Sequence, residues 1–184
     1  MTESSQTTRD IETLREWIRA TPPGGMVFFG GAGVSTESGI PDFRSADGIY
    51  SQDGIVSPEQ MVSRSFFDAH PKEFYDFYFG SMVFPDAQPN QAHRKLAELE
   101  QKGTLSAVIT QNVDGLHQKA GSRNVLELHG SIYRNHCMRC GKFYPLSAIE
   151  ESEGVPRCAC GGTIKPDVVL YEEPLDEETW AAAV

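Results

Sequence analysis

The chain has 184 residues, of which 39% are hydrophobic, which is enough apolar material for one sizeable core and a small satellite module. It carries 16 Lys and Arg against 26 Asp and Glu, a net charge of −10, which argues against a nucleic-acid partner because phosphate binding needs a cationic surface. The N-terminus is polar without a secretory signal, and no stretch has the length and hydrophobicity of a membrane span. We therefore expect a cytoplasmic globular protein without a membrane partner.

Helices and strands are predicted to alternate along most of the chain, with Pro, Gly and capping residues at their ends. Helices are expected from Thr8 or Asp10, from near Val34, from Ser57, from Pro71 and after Asn90. Strands are expected at residues 26–29, 106–110, 125–128 and 168–171. The first of these is a compact apolar run, as a strand buried on both faces would be. The alternation favours a parallel α/β sheet.

A turn of four small residues follows the first predicted strand. Gly31 and Gly33 allow close approach of the backbone, and the start of the next helix offers free N–H groups, so the turn can cradle a phosphate. A tight turn without a ligand is the alternative for a Gly-x-Gly pattern alone. The loop beyond adds Asp42, Phe43 and Arg44, a carboxylate, an aromatic ring and a cation with little structural purpose.

A second polar stretch directly follows the predicted strand 106–110. Gln111, Asn112 and Asp114 would lie at the carboxyl end of a parallel strand, where open α/β sheets bind their ligands. The amides can bond sugar hydroxyls, and the carboxylate can accept the amide protons of a carboxamide. A polar loop that only caps the next helix is the alternative, since Asn112 or Asp114 alone could do that.

His129 stands out among the five histidines, most of which are expected to be packing residues. It follows the predicted strand 125–128 and precedes Gly130, so it would lie at another carboxyl end. An imidazole has an unperturbed pKa of about 6.5 and can take a proton from a hydroxyl near neutral pH. His129 is therefore a candidate general base.

All four cysteines lie in one segment, as Cys137-x-x-Cys140 and, after 17 intervening residues, Cys158-x-Cys160. Glycines follow both pairs and supply the flexible backbone that loops around thiolates need. The pattern predicts a zinc site, structural because four thiolates leave no open position for substrate or water. Two disulfides are the alternative, which the lack of a secretory signal disfavours.

Taken together, these motifs resemble the sirtuin family of NAD-dependent protein deacylases. Residues 31–44 match the family pattern Gly-Ala-Gly-(Ile/Val)-Ser followed by Ser-Gly-Ile-Pro-Asp-Phe-Arg, and residues 111–117 match Gln-Asn-x-Asp-x-Leu-His. The segment Leu-His-Gly at 128–130 and the four cysteines follow in the family's order. One departure is Gly30, where most members carry Thr.

The resemblance implies an α/β fold, a Rossmann-like parallel sheet domain that is incomplete at the C-terminus, with a small zinc-binding and helical module. The expected division is 1–56 and 89–134 for the first two parts of the Rossmann-like domain, 57–88 for the helical module, 135–165 for the zinc module, and 166–184 for the return to the main domain. Sirtuins continue into strands that hold the adenosine half of NAD. We therefore expect the chain as given to be poorly soluble and inactive alone.

The resemblance also implies the site residues and the cofactors NAD and Zn²⁺. NAD contacts are implied for Gly31, Ala32, Gly33, Ser35, Thr36, Asp42, Phe43, Arg44, Gln111, Asn112, Val113, Asp114 and His129. His129 is implied as the catalytic base, with Asn112 organising the nicotinamide ribose and nearby water. The zinc ligands would be Cys137, Cys140, Cys158 and Cys160. Val169 and Tyr171 would pair with the substrate backbone, although Tyr-Glu-Glu stands at 171–173 where many members have Phe-Gly-Glu.

The implied activity is removal of acyl groups from lysine side chains of proteins, with release of nicotinamide and O-acyl-ADP-ribose. Acetyl is expected rather than succinyl, because desuccinylating members carry Tyr-x-x-Arg where this chain has Tyr75-Asp76-Phe77-Tyr78. Two alternatives stay open. One is mono-ADP-ribosylation, which uses the same NAD cleavage with another acceptor, and the other is a zinc-containing nucleotide-binding interaction module without catalysis.

Overall fold

A computed structural model describes residues 3–43, 56–152 and 154–184 of the chain, so the expected NAD contact Arg44 lies outside the described residues. The helices are α1 (Glu3–Ala20), α2 (Pro58–Met61), α3 (Arg64–Ala69), α4 (Pro71–Ser81), α5 (Gln91–Gln101), α6 (Leu116–Ala120), α7 (Leu146–Glu150) and α8 (Glu177–Ala183). The strands are β1 (Met26–Gly30), β2 (Leu105–Thr110), β3 (Val125–Glu127), β4 (Gly130–Cys137), β5 (Phe143–Pro145) and β6 (Ile164–Val168). A 3₁₀ helix, η1, spans Ala32–Ser38.

The first sheet is parallel and has the strand order β1-β2-β3, which confirms the expected α/β architecture. Helix α5 packs on it through an apolar cluster. The buried members of this cluster are Leu96, Leu99, Leu105 and Val108. Because all three strands run in the same direction, their carboxyl ends share one edge, and the polar motifs begin at that edge.

The prediction that β1 is buried on both faces is wrong, because one face of the strand is exposed in the part of the chain that the structure describes. Val27 and Phe29 are 53% and 61% exposed, whereas Met26 and Phe28 pack against the α5 cluster. Successive side chains of a strand point to opposite faces, and α5 covers only one of them. An apolar run in sequence therefore does not reveal how many faces of its strand are covered.

The second sheet is antiparallel, with β4 between β5 and β6. The strand expected at 168–171 is corrected here, because β6 instead spans Ile164–Val168 and joins this second sheet. After β6 the chain leaves the sheet, and Tyr171 makes an isolated parallel bridge with Ser63. The apolar pattern located an extended segment, but the choice of partner strand is a tertiary property.

Helices α2 to α4 form a helical module, and its predicted helix starts are confirmed. Ser57 and Gln60 make a reciprocal capping box at α2, and α4 begins at Pro71. The aromatic surface of α4 is a packing surface, since Phe74, Tyr75 and Tyr78 are buried within it. The Tyr75 hydroxyl donates a hydrogen bond to the Ile164 carbonyl oxygen, which ties this module to β6.

Two other helix starts differ from the prediction. Helix α1 already begins at Glu3, since residues 3–7 contain no Gly or Pro that would stop it. The helix expected near Val34 is the tighter 3₁₀ helix η1, in which the Thr36 hydroxyl donates to the Gly33 carbonyl oxygen at 3.0 Å. Asn90 caps α5 as predicted. Among the described helices, none combines the length and the hydrophobicity needed to cross a membrane.

Candidate active site

A cavity of about 900 Å³ opens beside the carboxyl ends of β1 and β2. The expected site residues in its lining are Gly31, Ala32, Gly33, Ser35, Asp42, Phe43, Gln111, Asn112, Val113, Asp114, His129, Val169 and Tyr171. Thr36 is outside this described lining, because its side chain is exposed and its hydroxyl turns back to the main chain of η1. The fold thus brings four separate sequence segments to one space.

The glycine turn is held from two sides. The Gln111 backbone N–H donates to the Gly30 carbonyl oxygen at 3.0 Å, and the Asn90 side-chain amide donates to the Val34 carbonyl oxygen at 2.7 Å. A Cβ atom at Gly31 would lie 3.4 Å from the Gln111 Oε1 atom, so the turn lies against the Gln111 side chain. Gly31 supplies no side-chain cap to η1, so no side chain there competes with an anion for the first N–H groups.

Ser35 joins the glycine turn to the second polar motif. Its hydroxyl is buried and donates to the Asp114 Oδ2 atom at 2.6 Å, while the Asn112 Nδ2 atom donates to the Ser35 hydroxyl oxygen at 3.0 Å. The other Asp114 oxygen accepts the Leu116 backbone N–H at 2.9 Å at the start of α6. Asp114 therefore both binds the first backbone N–H of α6, as the alternative of a capping loop predicted, and forms part of the cavity wall.

His129 is arranged as a neutral base. Its Nδ1 atom lies 3.0 Å from the Gln111 carbonyl oxygen, which can only accept, so Nδ1 carries the proton and Nε2 keeps its lone pair. Burial lowers the pKa of His129, and the bond to the Gln111 carbonyl only partly opposes this. The imidazole is thus ready to accept a proton at neutral pH. The His129 carbonyl oxygen in turn accepts the Val169 N–H at 3.0 Å.

His117 closes the second polar motif but is a packing residue. It is buried on Phe28, and its ring centroid lies 4.7 Å from that of His93. Burial and the neighbouring His93 lower the pKa of His117 to about 4, against a small opposing effect of Asp114. Both histidines are therefore neutral at pH 7 and pack against each other.

Some residues at the site were not identified from sequence. Asn90 was expected only as a helix cap, yet it also fixes η1. Met82 and Phe84 line the cavity from the segment after α4, and their spacing carries no signal of that role. Thr110, the last residue of β2, accepts the Asn112 N–H at 3.0 Å through its hydroxyl oxygen. Its place at a strand's carboxyl end was the one available clue.

The four cysteines converge between β4 and β6. Their sulfur atoms all lie within 4.8 Å of one another, with Cys137–Cys160 at 3.5 Å and Cys140–Cys158 at 3.6 Å. All four cysteines carry free thiols, as the prediction of a zinc site requires and the alternative of two disulfides does not. Zinc–sulfur bonds of about 2.3 Å in a tetrahedron require sulfur separations of about 3.8 Å. The four thiols are therefore positioned to bind a structural zinc.

The surroundings of the sulfur atoms also suit thiolates. The Tyr144 hydroxyl donates to the Cys158 sulfur at 3.1 Å, and the Arg139 backbone N–H donates to the Cys137 sulfur at 3.4 Å. A Cβ atom at Gly162 would lie 2.7 Å from the Cys137 sulfur, so only glycine fits beside it. Such outer-shell donors fix the ligands and disperse their negative charge.

The fold and the cavity define a dinucleotide-binding α/β protein with an attached four-cysteine module. The family model described as the Sir2 family matches residues 31–184, and the chain belongs to that family. A protein of Clostridium perfringens named NAD-dependent protein deacetylase is 55% identical over 177 residues, covering 95% of this chain and 72% of the relative. One of the same name from Cutibacterium acnes is 57% identical over 166 residues, covering 89% of this chain and 67% of the relative.

Solved structures agree with this assignment. A Sir2 structure with a deacetylated p53 peptide and 3′-O-acetyl ADP-ribose superposes with a TM-score of 0.85 at 40% identity, covering 94% of this chain and 70% of that one. A Sir2 structure with a p53 peptide and NAD⁺ gives a TM-score of 0.79 at 41% identity, covering 94% and 69%. The resemblance inferred from the motifs is thereby confirmed at the level of both sequence and fold.

Proposed function

We propose that this protein uses NAD to remove acetyl groups from lysine side chains of proteins, releasing nicotinamide and O-acetyl-ADP-ribose. The observation that carries the proposal is the meeting of Ser35, Asn112, Asp114 and His129 at one cavity, between the glycine turn and residues 169–171. The named deacetylases among its relatives and the Sir2 complexes with peptide and NAD⁺ support it.

The two ends of the cavity suit different parts of NAD. Gly31, Ala32 and Gly33 offer close backbone and the start of η1 to the phosphates. Asp114 and Val113 would receive the nicotinamide ring and its amide, with Gln111 and Asn112 at the ribose. Phe43 and Asp42 would cover the cofactor from the loop after η1. Bound NAD supplies an electrophilic ribose carbon from which nicotinamide departs.

The protein's own residues then orient the reactants and move a proton. The Nε2 atom of His129 accepts the proton from a ribose hydroxyl, which raises the nucleophilicity of that oxygen. The bond from Nδ1 to the Gln111 carbonyl keeps the ring in the required tautomer and orientation. Asn112, anchored by Ser35, positions the ribose and an adjacent water. The four-cysteine module would hold Zn²⁺ and take no part in the chemistry.

The acetyl preference is supported by the packing of α4. Tyr75 and Tyr78 are 1% and 0% exposed and pack edge to face within the aromatic core of the helical module, and α4 itself contains no Arg. A succinyl carboxylate would therefore find no cation at this position. Val113, Met82 and Phe84 give the cavity an apolar part that suits a short acyl chain. Val169 and Tyr171 are proposed to pair with the backbone of the acyl-lysine protein through their carbonyl oxygens, since their N–H groups are bonded to the His129 and Val62 carbonyl oxygens.

Mass analysis of an acetyl-lysine peptide incubated with and without NAD tests the proposal. We expect NAD-dependent loss of the acetyl group together with free nicotinamide and O-acetyl-ADP-ribose. Transfer of ADP-ribose to the peptide instead would establish mono-ADP-ribosylation, and absence of nicotinamide release would establish a binding module. The cytoplasmic location stays a prediction.

A further inference from the structure

Glu172 has an unusual backbone conformation at the edge of the cavity. Its φ is +77°, and among the described residues it is the only non-glycine residue with a positive φ. This region is unfavourable for a residue with a Cβ atom, and such residues concentrate at functional sites where their surroundings hold them. Glycine would adopt the same conformation without strain. The side chain of Glu172 must therefore make contacts that offset the strain.

The carboxylate of Glu172 binds one residue of α3 with both oxygens. Oε2 accepts the Ser65 backbone N–H and Oε1 accepts the Ser65 hydroxyl, each at 2.9 Å. The preceding residue is joined to the same module, since the Tyr171 N–H donates to the Val62 carbonyl oxygen and the Arg64 N–H donates to the Tyr171 carbonyl oxygen, both at 3.0 Å. Four hydrogen bonds thus connect two adjacent residues to the helical module.

Neighbouring contacts fix the rest of the segment that follows β6. Glu173 accepts the Leu170 N–H and the Arg64 guanidinium at 2.9 Å each, and its carboxylate also lies 3.0 Å from the Lys165 ammonium. At the other end, the Val169 N–H is bonded to the His129 carbonyl oxygen. Residues 169–171 are therefore held by hydrogen bonds to the candidate base at one end and to α3 at the other, and they line the cavity along this length.

We propose that Glu172 is a positioning residue for the protein substrate, which fixes the segment 169–171 against α3 through Ser65 in the orientation that pairs with an acyl-lysine peptide. The inference rests on the proposed function of Val169 and Tyr171. Glu172 itself forms no part of the chemistry. Loss of the Glu172 carboxylate should leave NAD binding and the position of His129 unchanged and loosen only the segment 169–171, where the peptide docks. A segment that is already ordered binds the peptide without paying the entropic cost of becoming ordered.

Three substitutions of Glu172 distinguish the effect of its carboxylate from the effect of its backbone strain. Glu172→Gly removes both, so its melting temperature should not fall, whereas its KM and dissociation constant for an acetyl-lysine peptide should rise about fivefold. Glu172→Ala should show the same rise together with a lower melting temperature. Glu172→Gln should recover near-normal peptide binding, because its amide oxygen can accept the Ser65 N–H and its NH₂ can donate to the Ser65 hydroxyl oxygen. KM for NAD and kcat at saturating peptide should change less than about twofold.

The matched control is Glu59→Ala, which removes an exposed carboxylate from α2 of the same module and should leave all constants unchanged. Peptide affinity is measured by fluorescence anisotropy as well as by turnover. An unchanged peptide affinity in both Glu172→Gly and Glu172→Ala overturns the inference, and so does an equal rise in the constants for peptide and NAD. If the wild-type protein binds the peptide without deacetylating it, the proposed function fails while anisotropy still reports on Glu172.

Discussion

Substitution of Gly130 by Ala tests how the candidate base is held. Gly130 follows His129 at the start of β4, has a φ of +76°, and pairs with Val168 of β6. A Cβ atom there would overlap the Asp167 carbonyl oxygen and lie 2.9 Å from its carbonyl carbon. The obstruction is backbone and cannot be relieved by a rotamer change. The strand β6 would therefore have to move away from β4.

The cost has two parts. A left-handed conformation costs an alanine about 1–2 kcal/mol. Restoring ordinary separations requires a displacement of about 1.5 Å, because the Asp167 oxygen lies nearer to the added Cβ atom than its carbonyl carbon does, and overpacking of this kind costs about 1–3 kcal/mol. The shift also endangers the bond between the Val169 N–H and the His129 carbonyl oxygen, which contributes about 1 kcal/mol. The two parts together predict a loss of about 2–5 kcal/mol in the free energy of unfolding, and complete loss of that hydrogen bond would add about 1 kcal/mol.

Gly103→Ala is a matched control, because Gly103 has a φ of +74° and no atom within 4 Å of an added Cβ. It should lose only the conformational part, about 1–2 kcal/mol. Urea unfolding of both variants measures the difference, which we expect to be about 2 kcal/mol. Gly130→Ala should also lower kcat/KM about tenfold or more by displacing His129, whereas Gly103→Ala should not. Equal stability of the two variants would show that the contact with Asp167 is not limiting.

Four further outcomes follow from the site. His129→Ala should lower kcat by about 10²–10⁴ while NAD binding, measured by calorimetry, changes less than about twofold, and near-normal turnover would rule out His129 as the base. Because burial lowers the pKa of His129, the acid limb of the kcat/KM profile should have its midpoint below pH 6.5, and a midpoint above that value would contradict the lowering of this pKa by burial. Metal analysis should give one zinc per chain bound by the four cysteines, and chelation should unfold the β4–β6 sheet as followed by circular dichroism. The pKa of His117 is about 4 in the folded state against about 6.5 in the unfolded state. The free energy of unfolding should therefore be highest above pH 6.5 and fall by up to about 3 kcal/mol as the pH drops toward 4. If the slope of this free energy between pH 6.5 and 5 is the same in His117→Gln as in the wild-type protein, the prediction is wrong.

The sequence by itself determined the features that depend on near neighbours in the chain. The caps at Ser57 and Asn90 were predictable because each side chain bonds a backbone N–H within three residues. The four-cysteine module was predictable for a similar reason, since two closely spaced pairs of one reactive residue type have few other uses. The parallel sheet followed from alternating helices and strands, and the family from motifs that keep their order along the chain.

Tertiary structure alone decided the contacts between distant segments. Ser35 and Asp114 are 79 residues apart, and their hydrogen bond exists only because β1 and β2 end at the same edge. The pairing of β6 with β4, rather than with the parallel sheet, depends on which strand offers free hydrogen-bonding groups, and no local pattern encodes that choice. The same is true of Glu172, whose left-handed backbone is stabilised by Ser65, 107 residues earlier. Propensity and spacing describe a residue's neighbours in sequence, whereas strain, burial and partner are set by its neighbours in space.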